Sequence, residues 1–418
     1  MTTSIDNTLP DDSTSAHWTG VWAITLCVFA LVASEFMPVS LLSPVSRDLG
    51  VSEGLAGQGI AISGTLAVLT SLSITRLAGN IDRKLLLLGL TVLMALSGAV
   101  IALAPNYLTY MAGRALIGVV IGGFWSMSAA LALRLVPEDQ VPRALAIFNG
   151  GNALAMVIAA PLGSYLGSVM GWRGAFFCLV PVALVAFIWQ GVSLPSMPPV
   201  RGEKSSGNVL RLFKNPLVAL GMAACGLFFM GQFALFTYLR PFLETVTRVN
   251  VSTLSLILLS IGIAGFIGTL IIGFFLRAGH YPTLTAIPLV MAVIAVMLMV
   301  SGHTLWLVVV LLGLWGLVAT AAPVGWWSWV AKTFHDNAEA GGGLMVAVVQ
   351  LSIALGSTSG GLAFDHVGWQ STFGLSGALL TLAAILTFIT YRRARWRRAY
   401  FYPGEHMPLS LIHISEPT

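Results

Sequence analysis

A single carboxylate lies in the middle of a long apolar segment: Glu35, in the stretch VASEFMPVSLL at 32–42. The run from about 21 to 43 is otherwise apolar enough to cross a bilayer, where a carboxylate costs roughly 2.5 to 3.5 kcal/mol on insertion scales. Arg114, in GRALIGVVIGGFW, is the one base at comparable depth. Intramembrane ionisable residues are functional candidates, and the alternative is a structural ion pair between the first and fourth helices. Motion of Glu35 towards or away from Arg114 would switch its protonation, as coupling to protons requires.

The sequence predicts no enzymatic site, nucleotide-phosphate site or metal site. The seven histidines lie near loops or termini without clustering, and no phosphate-binding Gly-x-x-x-x-Gly-Lys-Ser/Thr motif occurs. Cys27, Cys178 and Cys225 fall inside predicted helices at wide separations, which is typical of small buried hydrophobic residues rather than of a disulfide or a metal site. We therefore expect no cofactor and no metal, and a polytopic membrane enzyme stays a distant alternative.

The elements that position Glu35 and Arg114 are predicted to be transmembrane helices in an all-α membrane protein. Hydrophobic residues make up 57% of the 418 residues and charged residues 9%, a composition typical of a polytopic membrane protein. Apolar runs of about 20 residues, bounded by charge, Pro and Gly, recur along nearly the whole chain. The twelve predicted spans are 21–43, 57–77, 84–104, 107–133, 143–168, 173–194, 216–243, 253–277, 281–301, 304–331, 338–364 and 370–391.

The spans divide into two halves of six, because a segment rich in Pro, Ser and charge separates the sixth from the seventh. Residues 409–418, LSLIHISEPT, look like the translation of a transposon adapter used in library construction, so we exclude this probable artefact from the fold. The predicted units are a cytoplasmic tail at 1–20, an N-terminal bundle at 21–194, a cytoplasmic linker at 195–215, a C-terminal bundle at 216–391 and a basic cytoplasmic tail at 392–408.

Charge and internal repetition support this division. The loops on one side carry most of the 21 Lys and Arg residues, so the positive-inside rule places both termini in the cytoplasm. GSVMGWRGAFF after the fifth span matches FDHVGWQSTFG after the eleventh, which pairs Gly171 with Gly368 and Trp172 with Trp369. Parallel six-helix halves are the architecture of an alternating-access transporter.

Aromatic and amide side chains between the halves could form a small-molecule site. Aromatic faces stack on a flat solute, and amides can hydrogen-bond its edge. The alternative for each aromatic residue is a position in a membrane-interface belt. The candidates are Gln58, Trp125, Gln232, Tyr238, Trp326, Trp327 and Gln350.

Three motifs resemble those of the major facilitator superfamily, specifically its drug:proton antiporter branch. Arg114 with Gly118 and Gly122 resembles the fourth-helix motif, whose arginine takes part in proton coupling in that family; the Gly-x-x-x-Gly spacing itself favours close helix packing. The stretch APLGSYLG at 160–167, with Pro161, Gly163 and Gly167, resembles the fifth-helix antiporter motif, although Ala160 and Ser164 stand where glycines are usual.

The loop after the second span carries a degenerate form of the third motif. In TRLAGNIDRK at 75–84, Leu77, Ala78, Arg83 and Lys84 agree with the family pattern, whereas Thr75, Gly79 and Asp82 depart from it. Asp82 could substitute for the missing aspartate. The resemblance implies the twelve-helix fold of this superfamily in a multi-pass protein of the bacterial inner membrane.

Longer stretches are similar to bacterial exporters of purine ribonucleosides within that branch. They are SEFMPVSLLSPVSRDLGVSEG, GGFWSMSAALALRLVP, GQFALFTYLRP and PVGWWSWV. This resemblance implies export of purine nucleosides such as inosine and guanosine, and of purine analogues, in exchange for protons. The expected partners are a small-molecule solute, protons and the lipid bilayer, with no nucleic acid. A multidrug or sugar exporter of the same superfamily is the alternative.

Overall fold

The structure, a computed structural model, describes residues 16–79, 81–198, 213–334 and 338–401, and within these ranges the chain is built of helices and their connections. Residues 1–15 of the predicted N-terminal tail, residues 402–408 of the predicted basic tail, the excluded residues 409–418 and most of the predicted linker lie outside the described residues. The rest of the predicted basic tail, 392–401, continues the last helix. The helices are α1 (Trp18–Leu49), α2 (Glu53–Ala78), α3 (Arg83–Ala102), α4 (Tyr107–Leu135), α5 (Val141–Phe177), α6 (Leu179–Ser193), α7 (Pro216–Phe236), α8 (Leu239–Phe242), α9 (Val251–Ala278), α10 (His280–Ser301), α11 (Leu305–Ala319), α12 (Ala322–Thr333), α13 (Ala338–His366) and α14 (Trp369–Phe401).

Eleven helical stretches of the described chain are long and apolar enough to cross a membrane. One of them, Arg143–Ser193, has 51 residues and joins two crossings, because Gly171 turns the chain with φ 79° and ψ 162°. The described chain therefore makes twelve crossings, as the sequence predicts. The predicted span 304–331 is interrupted between α11 and α12, where Pro323 lies in the first turn of α12 and has no amide to continue the preceding helix.

The repeated Gly-Trp motif has the same conformation in both halves. Gly171 and Gly368 both have a positive φ, of 79° and 110°, which favours glycine. The following tryptophans pack edge-on against phenylalanines one turn later: Trp172 on Phe176 at a centroid distance of 6.4 Å, and Trp369 on Phe373 at 5.5 Å. This shared geometry confirms the internal repeat at the level of local structure.

Close helix contacts hold the N-terminal half together. A Cβ added to Gly118 would lie 2.3 Å from the Ser63 carbonyl oxygen, and one added to Gly122 would lie 2.2 Å from that of Ala67. Only glycine allows α4 to approach the α2 backbone this closely. The expectation that this Gly-x-x-x-Gly pair serves packing is confirmed.

The connection between α2 and α3 is fixed by Asp82. Its carboxylate caps α3 by accepting a hydrogen bond from the Lys84 amide at 2.8 Å, and it also accepts bonds from the Ser196 hydroxyl and the Met197 amide. The Arg83 amide donates to the Met197 carbonyl at 2.9 Å. Asp82 thus serves as the helix cap anticipated from the degenerate motif, and it attaches the segment after α6 to the N-terminal half.

The two halves are α1–α6 and α7–α14, and they meet along α2 with α13 and along α5 with α9. Hydrogen bonds and an ion pair join them from the middle of the bundle to the end that carries the α1–α2 and α13–α14 turns. We call this end, defined by Gly50 and Gly368, the closed end. The chain enters and leaves the bundle at the opposite end.

Candidate functional site

Glu35 lies midway along α1 and is 7% exposed. Its Oε1 accepts a hydrogen bond from Nε2 of Gln350, on α13, at 3.1 Å. Gln350 is buried to the same extent, at 7% exposure. The buried carboxyl group therefore contacts the other half of the protein at the middle of the bundle.

Arg114 is fully buried on α4 and uses its guanidinium to hold α1 and α2. It donates to the carbonyl oxygen of Ser34 at 2.7 Å, to that of Gly59 at 3.1 Å and to the Ser63 hydroxyl at 3.2 Å. A longer bond of 3.4 Å reaches the peptide oxygen of Glu35. The guanidinium thus contacts the backbone of Glu35 rather than its carboxylate. In this structure α1 and α4 are joined by these backbone bonds and not by the ion pair that the sequence left open.

A pocket with about 730 Å³ of empty space, part of it open to solvent, lies between the halves. The N-terminal half contributes only apolar side chains, including Phe36, the neighbour of Glu35 on α1. The remaining wall comes from the C-terminal half and includes Gln232, Phe233, Phe236, Thr269, Trp315 and Thr320.

Aromatic rings form the part of the pocket where the halves touch. The Phe36 ring lies 5.9 Å from that of Phe233 on α7, and Phe233 packs edge-on against Phe236 at 6.1 Å. Two polar atoms on the pocket-lining residues, Oε1 of Gln232 and Nε1 of Trp315, are buried without a hydrogen-bond partner in the protein.

Close contacts between α5 and α9 border the pocket. A Cβ on Gly262 would lie 2.8 Å from the Val157 carbonyl oxygen, so the two helices touch through their backbones. About two turns nearer the closed end, the Ser255 hydroxyl donates to the Ser164 hydroxyl at 2.9 Å. Ser164, which stands where the family motif has glycine, therefore joins the halves.

Further polar contacts fasten the closed end. Arg47 and Arg240 both pair with Glu244, at 2.6 Å and 2.8 Å, and Arg240 also donates to the Ser40 carbonyl. Asp365, at the end of α13, accepts hydrogen bonds at the start of α2 from the Ser52 hydroxyl at 2.5 Å and the Gly54 amide at 3.0 Å.

The structure distributes the sequence-predicted binding candidates over several locations. Gln232 lines the pocket. Gln58 accepts a hydrogen bond from Thr358 at 3.0 Å, and Gln350 bonds Glu35, so both lie at the contact between the halves. Tyr238 donates to the Ser357 carbonyl at 2.6 Å and stacks on Phe364, where it is fully buried.

The three predicted tryptophans are not among the residues lining the pocket. Trp125 packs edge-on against Phe124 at 5.6 Å. Trp326 is buried against Trp329 in the C-terminal half, whereas Trp327 is 45% exposed.

The predicted antiporter motif on α5 lies against α1. A Cβ on Gly163 would approach the Ser40 hydroxyl to 2.6 Å, and one on Gly167 would approach the Leu41 side chain to 2.4 Å. Pro161 is accommodated within the same helix. The motif glycines thus permit close packing of α5 on α1, directly beside the pocket wall formed by α5.

Sequence reasoning missed Phe36 and Trp315. Trp315 lies in LWLVVVLLGLWGLVA, where uniform apolarity gives no indication of which face meets a pocket. Phe36 could have been inferred, because it adjoins the one deep carboxylate.

Residues 24–357 match the family model described as Major Facilitator Superfamily. A protein of Pseudomonas aeruginosa named "Transcription regulatory protein OpdE" is 63% identical over 396 residues, which are 94% of this chain and 98% of that protein. The purine ribonucleoside efflux pump NepI of Escherichia coli K12 is 40% identical over 383 residues, covering 91% of this chain and 96% of the pump.

Solved structures show the same fold. A D-xylose–proton symporter superposes with a TM-score of 0.72 at 16% identity, over 90% of this chain and 98% of the symporter. A bacterial homologue of the human lysosomal transporter Spinster, in an inward-facing and unoccupied conformation, gives 0.70 at 16% identity, over 91% and 98% of the two chains.

Proposed function

Because the chain belongs to the Major Facilitator Superfamily, and is thus a multi-pass membrane transporter, we propose that it exports purine ribonucleosides in exchange for protons. The observation that carries this proposal is the 40% identity to a purine ribonucleoside efflux pump over 91% of the chain. Inosine, guanosine and related purine analogues are the proposed solutes, and the bacterial inner membrane is the proposed location.

The pocket between the halves supports a flat, neutral solute. Its walls offer phenylalanine rings for stacking, and Gln232 offers an amide for hydrogen bonding. The lining residues of the described chain carry no charged side chain that would select a cation. A multidrug exporter of lipophilic cations, which is one form of the alternative, would favour an acidic wall.

The position of Glu35 supports proton coupling. Its carboxyl group binds Gln350 of the opposite half, while its neighbour Phe36 lines the pocket. Protonation of Glu35 changes the bond that joins the halves, and movement of α1 changes the pocket. Proton and solute would therefore act on the same short segment of α1. Arg114 holds this segment by donating hydrogen bonds to the peptide oxygens of Ser34 and Glu35.

The charge distribution supports an orientation with the closed end facing the periplasm. The opposite end carries Arg83, Lys84, Arg134, Arg143 and Lys332 in or beside its loops, as the positive-inside rule expects of cytoplasmic loops. In this orientation both termini are cytoplasmic, and the structure corresponds to a state that is closed to the periplasm.

Replacement of Glu35 tests the coupling. Glu35→Gln keeps the side-chain volume and mimics the protonated acid, so the protein should insert normally but fail to accumulate inosine against its gradient. The measurement is uptake of radiolabelled inosine into inverted proteoliposomes under an imposed pH difference, without ATP. Asp139→Asn, which neutralises an exposed acid at the opposite end, is the matched control and should transport as wild type does. Gradient-driven accumulation by Glu35→Gln would show that the proton travels elsewhere.

The substrate is tested separately. Cells that express the protein should resist toxic purine nucleosides, whereas resistance to ethidium alone would support the multidrug alternative. The regulatory name of the Pseudomonas relative is compatible with transport, because an exporter sets the cytoplasmic concentration of its solute and can thereby alter transcription without contacting DNA.

A further inference from the structure

The pocket contains an unusual concentration of unsatisfied polar groups. Among the described residues, five buried side-chain atoms have no hydrogen-bond partner in the protein, and two of them belong to residues that line this pocket: Oε1 of Gln232 and Nε1 of Trp315. The cost of leaving such an atom unpaired is well above the net gain from a typical hydrogen bond, so a buried orphan requires an explanation. A bound solute that pairs both atoms would supply one.

Neither atom is hydrogen-bonded to a residue of the surrounding wall. The N-terminal half contributes only apolar side chains to the pocket, namely Phe36, Ala153, Met156, Val157 and Ala160. Thr269 of the C-terminal half donates its hydroxyl hydrogen to the Gly265 carbonyl of its own helix. The polar recognition in this pocket is therefore concentrated on α7 and α11.

The two atoms have opposite hydrogen-bonding character. The indole Nε1 of Trp315 can only donate, whereas Oε1 of Gln232 can only accept. A solute that satisfies both must present one acceptor and one N–H or O–H donor. The phenylalanine rings beside Gln232 favour a flat aromatic solute between these two groups.

We propose that Gln232 and Trp315 are the specificity-determining pair that reads the C6–N1 edge of a purine base. This inference rests on the proposed export of purine nucleosides and names the part of the solute that the site recognises. Hypoxanthine and guanine present a carbonyl acceptor at C6 and a donor at N1, and adenine presents a donor at C6 and an acceptor at N1. In hypoxanthine and guanine, the proposed solutes, Trp315 donates to the C6 carbonyl and Gln232 accepts from N1–H, whereas adenine presents the opposite pattern.

Purine riboside, which has hydrogen at C6, is the discriminating probe. It keeps the ribose and the ring system, but it has hydrogen in place of the C6 carbonyl of inosine and a bare nitrogen acceptor in place of the N1–H donor. With this ligand Oε1 of Gln232 stays unpaired, so wild-type protein should bind purine riboside about 10- to 100-fold more weakly than inosine.

The experiment measures binding of radiolabelled inosine to the purified full chain in lipid nanodiscs, with competition by purine riboside. Gln232→Met removes the acceptor at similar side-chain length. It should weaken inosine binding about 10-fold or more and leave purine riboside binding within about twofold, so that the preference for inosine falls by the same factor. Trp315→Phe removes the donor to the C6 carbonyl and should weaken inosine binding about 10-fold, while purine riboside, which has no C6 carbonyl, should bind within about twofold of its wild-type affinity.

Trp329→Phe is the matched control. Trp329 is a buried tryptophan of the same half, at 3% exposure, and its indole donates to the Tyr281 hydroxyl away from the pocket-lining residues. This variant should keep both affinities. If Gln232→Met retains the wild-type preference for inosine, or if Trp315→Phe binds as the control does, the assigned pair is wrong although nucleoside export stands. If wild-type protein binds neither nucleoside, the proposed function fails and the pair fails with it.

Discussion

Neutralising Asp365 should shift the protein towards a state that is open at the closed end. The Asp365 carboxylate accepts two hydrogen bonds from the other half, from the Ser52 hydroxyl and the Gly54 amide, at the start of α2. A Cβ on Gly54 would lie 2.2 Å from this carboxylate, so glycine is what permits the approach. In Asp365→Asn the amide oxygen can still accept one bond, but the negative charge at the helix N-terminus is lost.

The expected magnitude follows from these contacts. Loss of charge at a helix N-terminus costs about 0.3 to 1 kcal/mol, and exchange of a charge-assisted bond for a neutral one costs about 1 kcal/mol. Asp365 is exposed, and solvent screens its charge. We therefore take the sum of these two costs near the lower end of its range, at about 1.4 kcal/mol. This corresponds to a roughly tenfold change in the ratio of closed to open states, and a chain that is about 1% open would become about 10% open.

The assay is double electron–electron resonance between spin labels on both halves at this end. Leu103, after α3, and Val300, near the end of α10, are 78% and 83% exposed and suit labelling after substitution by cysteine. The native Cys178 is replaced by serine, since Cys27 and Cys225 are buried. Asp365→Asn should add a population at longer distance.

Asp48→Asn is the control for this experiment. Asp48 lies at the same end but accepts hydrogen bonds from Trp172 and Arg173 of its own half, so its loss should leave the distance distribution unchanged. An unchanged distribution in Asp365→Asn, or an equal shift in both variants, would refute the role assigned to this contact.

Two further predictions concern the N-terminal half. Asp82→Ala should lower stability by about 1 kcal/mol at pH 7, because α3 loses its cap and the segment after α6 loses its anchor. Burial raises the pKa of Asp82, but hydrogen bonds from Ser196, Met197 and Lys84 outweigh this and hold it below its usual range. The contribution is therefore present above the ordinary aspartate pKa of about 3.9 and is lost as the pH falls through the lowered value, which thermal unfolding in detergent at several pH values measures. Gly122→Val should reduce the yield of folded protein in size-exclusion chromatography, since its Cβ would press on the Ala67 carbonyl, whereas Gly89→Val, with nothing within 4 Å, should fold normally.

The sequence predicts helices and their packing better than it predicts the pocket. Spans follow from apolar runs of bilayer length, and the role of Gly118 and Gly122 follows from a spacing of four residues, which is a local property. The bond between Glu35 and Gln350 joins residues 315 positions apart, so no local pattern indicates it. Likewise, Arg114 is visible as a deep charge, but its use of peptide oxygens depends on how three helices cross.

For a related reason, the sequence does not indicate which tryptophans line the pocket. The segment that contains Trp326 and Trp327 is as rich in aromatic residues as a binding site, yet Trp326 fills the core of the C-terminal half. Trp315 has no polar neighbour in the sequence and nevertheless lines the pocket. Tertiary packing decides which face of an apolar helix meets a pocket. Amino-acid composition alone does not indicate that face.

The anchored segment after α6 determines where the chain can be divided. Leu194 and Met197 are each 3% exposed, and Asp82 binds this segment to the start of α3. Mechanically, residues 194–198 therefore belong to the N-terminal half. Two separately translated polypeptides, ending at 198 and beginning after it, would each retain a complete bundle and could be recombined with halves from related transporters.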